Sequence, residues 1–187
     1  MFNIGDKVVY PMHGAGVIEA IEEQEILGAR KKYYIMNIPI GEMKVMIPLD
    51  NVGQIGLREV IDNDGVERVF GILREHHSKL STNWNRRYRM NMEKIKSGDI
   101  YKVAEVVRSL MIRERQKGLS TGERKMLESA RQILISELVL AQNSCENEID
   151  EIIKQFTLEE HEVLEELEEL EEHEFLEVHN KHEEHHE

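Results

Sequence analysis

A chain of 187 residues with 40% hydrophobic residues holds apolar material for one modest core or two small ones. A single cysteine, Cys145, excludes an intrachain disulfide. There is no apolar run near the roughly 20 residues of a membrane span, and the start MFNIGDKVV lacks the basic-then-apolar pattern of a signal peptide, so a soluble, cytoplasmic protein is expected. The net charge of -13 is the charge of one end: residues 157–187 carry 14 Glu and one Lys, whereas residues 1–156 balance 23 basic against 23 acidic residues.

Residues 5–56 read as short strands, KVVY, GVIEAI, KYYIMNIP, MKVMIP and NVGQI, separated by Pro11, Gly14, Gly16, Gly28 and Gly41. Strands this short and this closely spaced predict a small antiparallel barrel or strongly bent sheet. His13-Gly14-Ala15-Gly16 lacks the Gly-Lys-Ser/Thr ending of a phosphate loop and leads into a strand, so it reads as a turn. The run from Met43 to Pro48 closes on proline, which suits a sheet edge. An edge strand either completes the barrel or takes a partner by strand addition.

From Leu57 the period changes to that of helices. Val66, Val69, Phe70 and Leu73 predict a first helix behind the turn Asn63-Asp64-Gly65, and His76-His77-Ser78 reads as linker. A helix is expected from about Asn83 to Lys96, and a second one, capped by Asp99, up to Lys117-Gly118. Ser120 and Glu123 form a capping box for a third, with Met126, Leu127, Ala130, Leu134, Leu138 and Ala141 inward. Ile149, Ile152, Ile153 and Phe156 predict a shorter last helix from Glu148 to Phe156. The expected division is a β module over 1–62, a connecting helix and linker over 63–80, a helical bundle over 81–156 and an acidic tail over 157–187, an α+β chain.

The densest run of arginine, STNWNRRYRMN from Ser81 to Asn91, holds the only tryptophan. Trp84, Tyr88, Met92 and Ile95 fall on one helical stripe, and on pattern alone that assigns Trp84 to a core. An apolar ring among Arg86, Arg87 and Arg89 also suits a wedge in a nucleic acid groove. Around it, residues 74–131 carry 15 Lys or Arg against 7 Asp or Glu, a surplus fit for DNA that a solvated helical face could equally carry.

Other chemistry is not visible. There is no nucleophile elbow, P-loop, cysteine pair or dinucleotide fingerprint, so no enzyme, cofactor or small-molecule substrate is expected. His182-Glu183-Glu184-His185-His186 matches the zinc-protease pattern H-E-x-x-H, yet it lies in the last six residues of a Glu-rich tract without a third ligand, so no metal site is assigned. The tail, with Leu164, Leu167 and Leu170 amid Glu, reads as a solubilising extension that a basic surface of the same chain could attract.

GDKVVYPMHGAGVIEAIE resembles the N-terminal domain of the CarD family of bacterial transcription regulators, a domain shared with the transcription-repair coupling factor. NWNRRYRMNMEKIKSGDIYKVAEVVRSL and RERQKGLSTGERKMLESARQILISELVLA resemble that family's helical C-terminal domain, so the similarity spans about residues 2–155. The resemblance implies a Tudor-like or SH3-like barrel that binds the β subunit of RNA polymerase. It also implies a helical domain at the upstream edge of the promoter bubble, acting on open-complex stability in the nucleoid. It places Trp84 as a minor-groove wedge, with Arg86, Arg87, Arg89 and Arg124 toward the DNA backbone, and so reverses the core assignment. On the polymerase side it points to Gln24, Lys44, Met46, Ile47 and Pro48. Some members carry Arg where this chain has Gln24 and Met46, leaving Lys44, Ile47 and backbone pairing to compensate. The rivals are a sequence-specific helix-turn-helix regulator built across Lys117-Gly118-Leu119-Ser120, and a metal-binding or scaffolding protein acting through its tail.

Overall fold

Alternation of apolar and polar residues, broken by glycines that turn the chain, builds the first module. In the computed structural model, which describes residues 1–75 and 83–156, the strands β1 (Lys7–Tyr10), β2 (Gly14–Ile26), β3 (Ala29–Ile38), β4 (Met43–Pro48) and β5 (Arg58–Glu59) form one antiparallel sheet in the order β4-β3-β2-β1-β5. It wraps a small core of Val8, Ile18, Tyr34, Met36, Ile38, Ile47 and Leu57.

β2 runs farther than its apolar part. Across its outer half, Glu23 faces Lys32, Gln24 faces Lys31 and Glu25 faces Arg30. Opposite charges on paired strands let the polar stretch EEQEI hold a ladder. Leu27 and Gly28 both have positive φ, 53° and 79°, as a two-residue hairpin turn requires.

NVGQI departs from the expected strand. Leu49–Asn51 is a turn of 3-10 helix and Val52–Ile55 a single α-turn, α1. Val52 and Ile55 are spaced to turn one helical side onto the small core, and Gly56 at φ 76° ends the turn in the left-handed region. β5, which follows, pairs with Val8 and Val9 of β1.

The helical module is α2 (Asn63–Arg74), α3 (Trp84–Lys96), α4 (Ile100–Lys117), α5 (Thr121–Gln142) and α6 over residues 146–156. Asp62, Asn83, Asp99 and Ser120 cap the first four, each accepting a backbone N–H from the first turn of its helix. Val66, Val69, Phe70 and Leu73 of α2 lie in the same buried cluster as α4 and α5. α4 is buried on most sides through its middle, from Val103 to Ile112. α6 closes on α2 through an edge contact of Phe156 with Phe70, ring centroids 5.5 Å apart, with the Arg74 guanidinium 4.1 Å above the Phe156 ring. His76-His77-Ser78 and the tail, with its H-E-x-x-H pattern, lie outside the described residues.

α5 also joins the modules. Ser136 Oγ accepts the buried backbone N–H of Ala15 at 2.8 Å. The fully buried Glu137 accepts two bonds from Arg58, at 2.6 and 2.8 Å, and one from the Ile61 N–H at 3.1 Å. Arg58 further donates to the Gly98 carbonyl, and Lys7 to the Leu140 carbonyl. Gly14, at φ 109°, lets α5 approach: a Cβ there would stand 2.7 Å from Ser136 Oγ. Ser136→Ala is expected to cost about 1–3 kcal/mol in urea unfolding, the penalty for a buried N–H left without an acceptor.

Candidate functional site

Trp84 is the first residue of α3, directly after the cap Asn83. Its ring is 45% exposed and stacks on Tyr88, one turn on, with centroids 5.3 Å apart and planes inclined by 28°. Its indole N–H donates to Ser120 Oγ at 3.1 Å. The same serine caps α5 and completes a capping box with Glu123. The ring is therefore open to a ligand on one side and held by two contacts on the other. Farther along the stripe Tyr88 and Met92 are half-buried and Ile95 is buried, so the predicted apolar stripe anchors α3 without enclosing the tryptophan.

The four arginines expected to face DNA separate. Arg86 and Arg89 are exposed, and by helical period they lie on the side of α3 opposite Trp84 and Tyr88. Arg124 is exposed on the first turn of α5, 3.7 Å from Glu114. Arg87 does not face outward: it is 4% exposed and forks onto Glu123, itself 2% exposed, with bonds to Oε1 of 2.8 and 2.5 Å. Three residues after Trp84, position 87 turns toward the α3–α5 contact, and a cation there persists because an acid meets it. A contact between Arg87 and DNA is thus corrected to an internal one. Ser120 and Glu123 are visible in the sequence as a helix cap, but nothing in it signals that Trp84 and Arg87 use that cap as their partner.

Burial by itself would raise the Glu123 carboxyl; hydrogen bonds from Arg87 and Ser120 outweigh it and hold the group below its ordinary 4.5. Burial likewise opposes, and bonds from Lys154 and Arg131 reverse, the shift of Asp150, which also lies low.

On the β module, register brings most of the second group together. Cross-strand partners share a face, so Val17, Asn37 and Lys44 form one row, Ala20, Ile35 and Met46 the next, and Glu22, Tyr33 and Pro48 the third, with Gln24 opposite Lys31 beyond. Lys44, Met46 and Pro48 thus lie on one face of edge strand β4, and Gln24 lies on the same face of the sheet, two strands in on β2. Met46 is 45% exposed, and Ile35, unmarked in the sequence, sits beside it. Lys44 hydrogen-bonds Glu19 at 2.8 Å, which raises the ammonium and lowers the carboxyl. Ile47 has the opposite parity and is buried at 1% exposure in the small core. Its side chain is therefore not a contact, and strand alternation alone would have excluded it.

No group of His, Cys, Asp and Glu suited to a metal occurs among the described residues, and no described helix is long and apolar enough to cross a membrane.

Two tests follow from the geometry of the pair and the ring. Because the folded-state Glu123 titrates low, the stability it supplies is complete above its ordinary 4.5 and is lost as pH falls through its lower folded value. The melting-temperature gap between wild type and Glu123→Gln is expected to be widest at neutral pH and to close in acid. Trp84→Ala is expected to cost about 1–2 kcal/mol, the weight of one aromatic stack and one hydrogen bond, against about 3–5 kcal/mol for a core tryptophan.

Comparison with known proteins adds the lineage. Residues 2–61 match the CarD-like/TRCF RID domain, and residues 68–154 match the CarD C-terminal domain. The chain is 43% identical over 149 residues to YdeB, a transcription-factor candidate of Bacillus subtilis (strain 168), covering 80% of this chain and 97% of YdeB. Among solved structures it is similar to the 72-residue N-terminal domain of Myxococcus xanthus CarD, with 32% identity, covering 32% of this chain and 79% of that one, at a TM-score of 0.28. CdnLNt from the same organism has 42% identity, covering 33% of this chain and 86% of its own, also at a TM-score of 0.28.

Proposed function

The chain belongs to the CarD family of transcription regulators, and from that premise we propose that it acts while bound to RNA polymerase, stabilising the open promoter complex. The β module holds the polymerase β subunit through β4, and the helical module sets Trp84 against the minor groove at the upstream edge of the bubble.

One observation carries this reading: the sole tryptophan of the chain starts a helix half-exposed, yet is held by a stack on Tyr88 and a hydrogen bond to Ser120. A ring already ordered in the free protein loses little entropy on inserting beside a base step, and a partly unstacked step returns the contact. Arg86 and Arg89 on the outer face of α3, with Arg124 on α5, supply salt-dependent attraction to phosphates without reading bases. The apolar patch of Ile35, Met46 and Pro48, which spans two adjacent rows beside the unpaired side of β4, suits addition of a strand from the polymerase, with side chains packing on that patch. This division of labour requires no catalytic residue.

A promoter footprint separates this reading from a sequence-specific regulator. Protection is expected only with polymerase present, and protection by the protein alone would overturn it. In a pull-down with the polymerase β subunit, Met46→Asp is expected to abolish capture and Trp84→Ala to leave it intact. In the full transcription complex, Trp84→Ala is expected to shorten the open-complex lifetime.

A further inference from the structure

The hydrogen bond that holds the indole depends on which way one hydroxyl proton points. Ser120 Oγ has one proton to donate and two lone pairs with which to accept. The Trp84 indole N–H points at it from 3.1 Å and the Glu123 backbone N–H from 3.3 Å, which occupies both lone pairs. The proton goes to Glu123 Oε2, 2.9 Å away, an oxygen that also accepts the Ser120 backbone N–H at 3.1 Å. The other carboxylate oxygen receives the Arg87 fork, with Arg113 Nε 3.7 Å off.

We propose that Arg87 and Glu123, acting through Ser120, are the positioning residues of Trp84. An ionised carboxylate is acceptor-only, so it takes the Ser120 proton and leaves the serine oxygen as an acceptor for the indole. Arg87, a donor-only group that stays charged, commits the far oxygen and keeps the near one turned to Ser120. A neutral amide at position 123 breaks this order. Facing its oxygen to Arg87 turns its NH2 toward Ser120, where it competes with the indole for a lone pair and meets the Ser120 backbone N–H donor to donor. Burying two charges merely to join α3 to α5 would offer no advantage over apolar residues of the same volume. Setting the polarity of an exposed serine–indole bond is something only the charged pair can do.

The inference rests on Trp84 being the ring that meets DNA, but where the ring is held can be read without DNA. Trp84 is the only tryptophan, so the emission of the full chain reports it alone. At neutral pH, Glu123→Gln is expected to shift emission to the red and to increase acrylamide quenching, with far-UV circular dichroism unchanged. Ser120→Ala, which leaves Arg87 and Glu123 in place, is expected to give the same shift, and Ser120→Thr, which keeps the hydroxyl, the wild-type spectrum. With polymerase and promoter, the two shifted variants are expected to shorten the open-complex lifetime by up to about tenfold, the weight of one hydrogen bond. Folded Glu123→Gln and Ser120→Ala proteins with wild-type emission and quenching would overturn the proposal and leave the pair a strut between helices. If Glu123→Gln fails to fold, the Ser120 variants decide by the same readout. Shifted emission together with an open-complex lifetime indifferent to Trp84→Ala would uphold the positioning role and overturn the DNA reading instead.

Discussion

Glu137 has no solvent exposure, and its carboxylate is answered from the other module, by the Arg58 guanidinium and the Ile61 N–H. A carboxylate so buried is tolerable only while those donors stay in place. The seam between sheet and bundle is therefore fixed, and with Ser136 bonded to Ala15 it leaves α5 little freedom to rock or slide against β2. The candidate site hangs from this seam, because α5 carries the seam near its C-terminal end and the Ser120 cap at its start.

One long helix thus acts as a ruler. At one end it grips the sheet whose far edge is β4; at the other it holds Trp84 through Ser120. Under the proposed function, in which the chain touches a polymerase surface and a DNA step at once, a fixed span is an advantage, since each contact then raises the effective concentration of the other. The central placement of α4, packed between α2 and α5, stiffens that span further.

The basic surplus of residues 74–131 is smaller outside than in the count. Arg87 and Arg108 are buried, the one on Glu123 and the other on the Ile72 carbonyl and Glu75. Arg131 pairs with Asp150 and Arg113 lies beside Glu123. What remains exposed is a sparser set, Arg86, Arg89 and Arg124 among them, and in the proposed DNA contact such a set would position more than it specifies.

Much of this architecture is legible from local rules. The caps at Asn83, Asp99 and Ser120, the stripe of Tyr88, Met92 and Ile95, the strands from Lys7 to Pro48 and the edge at β4 all follow from period, capping and turn chemistry, which act over a few residues. The misreadings share a different cause. NVGQI reads as a strand because a short apolar run does not declare its period, but the core beneath it imposes a helical turn. The polar half of β2 needed the basic residues of β3 opposite it. Arg87 looked like its neighbours Arg86 and Arg89 until Glu123, 36 residues on, drew it inside. For Trp84 itself, pattern points to the core and resemblance to the surface. The tertiary structure decided by giving it Ser120 and Tyr88 as partners and nothing on its outer side among the described residues. Apart from NVGQI and the outer half of β2, the sequence alone determined which segments are helix or strand and about where the helices begin, because those are contests among near neighbours. Which charges turn inward, and which ring stays out, was settled only when distant segments met, since desolvating a charge or an aromatic ring depends on what stands opposite it.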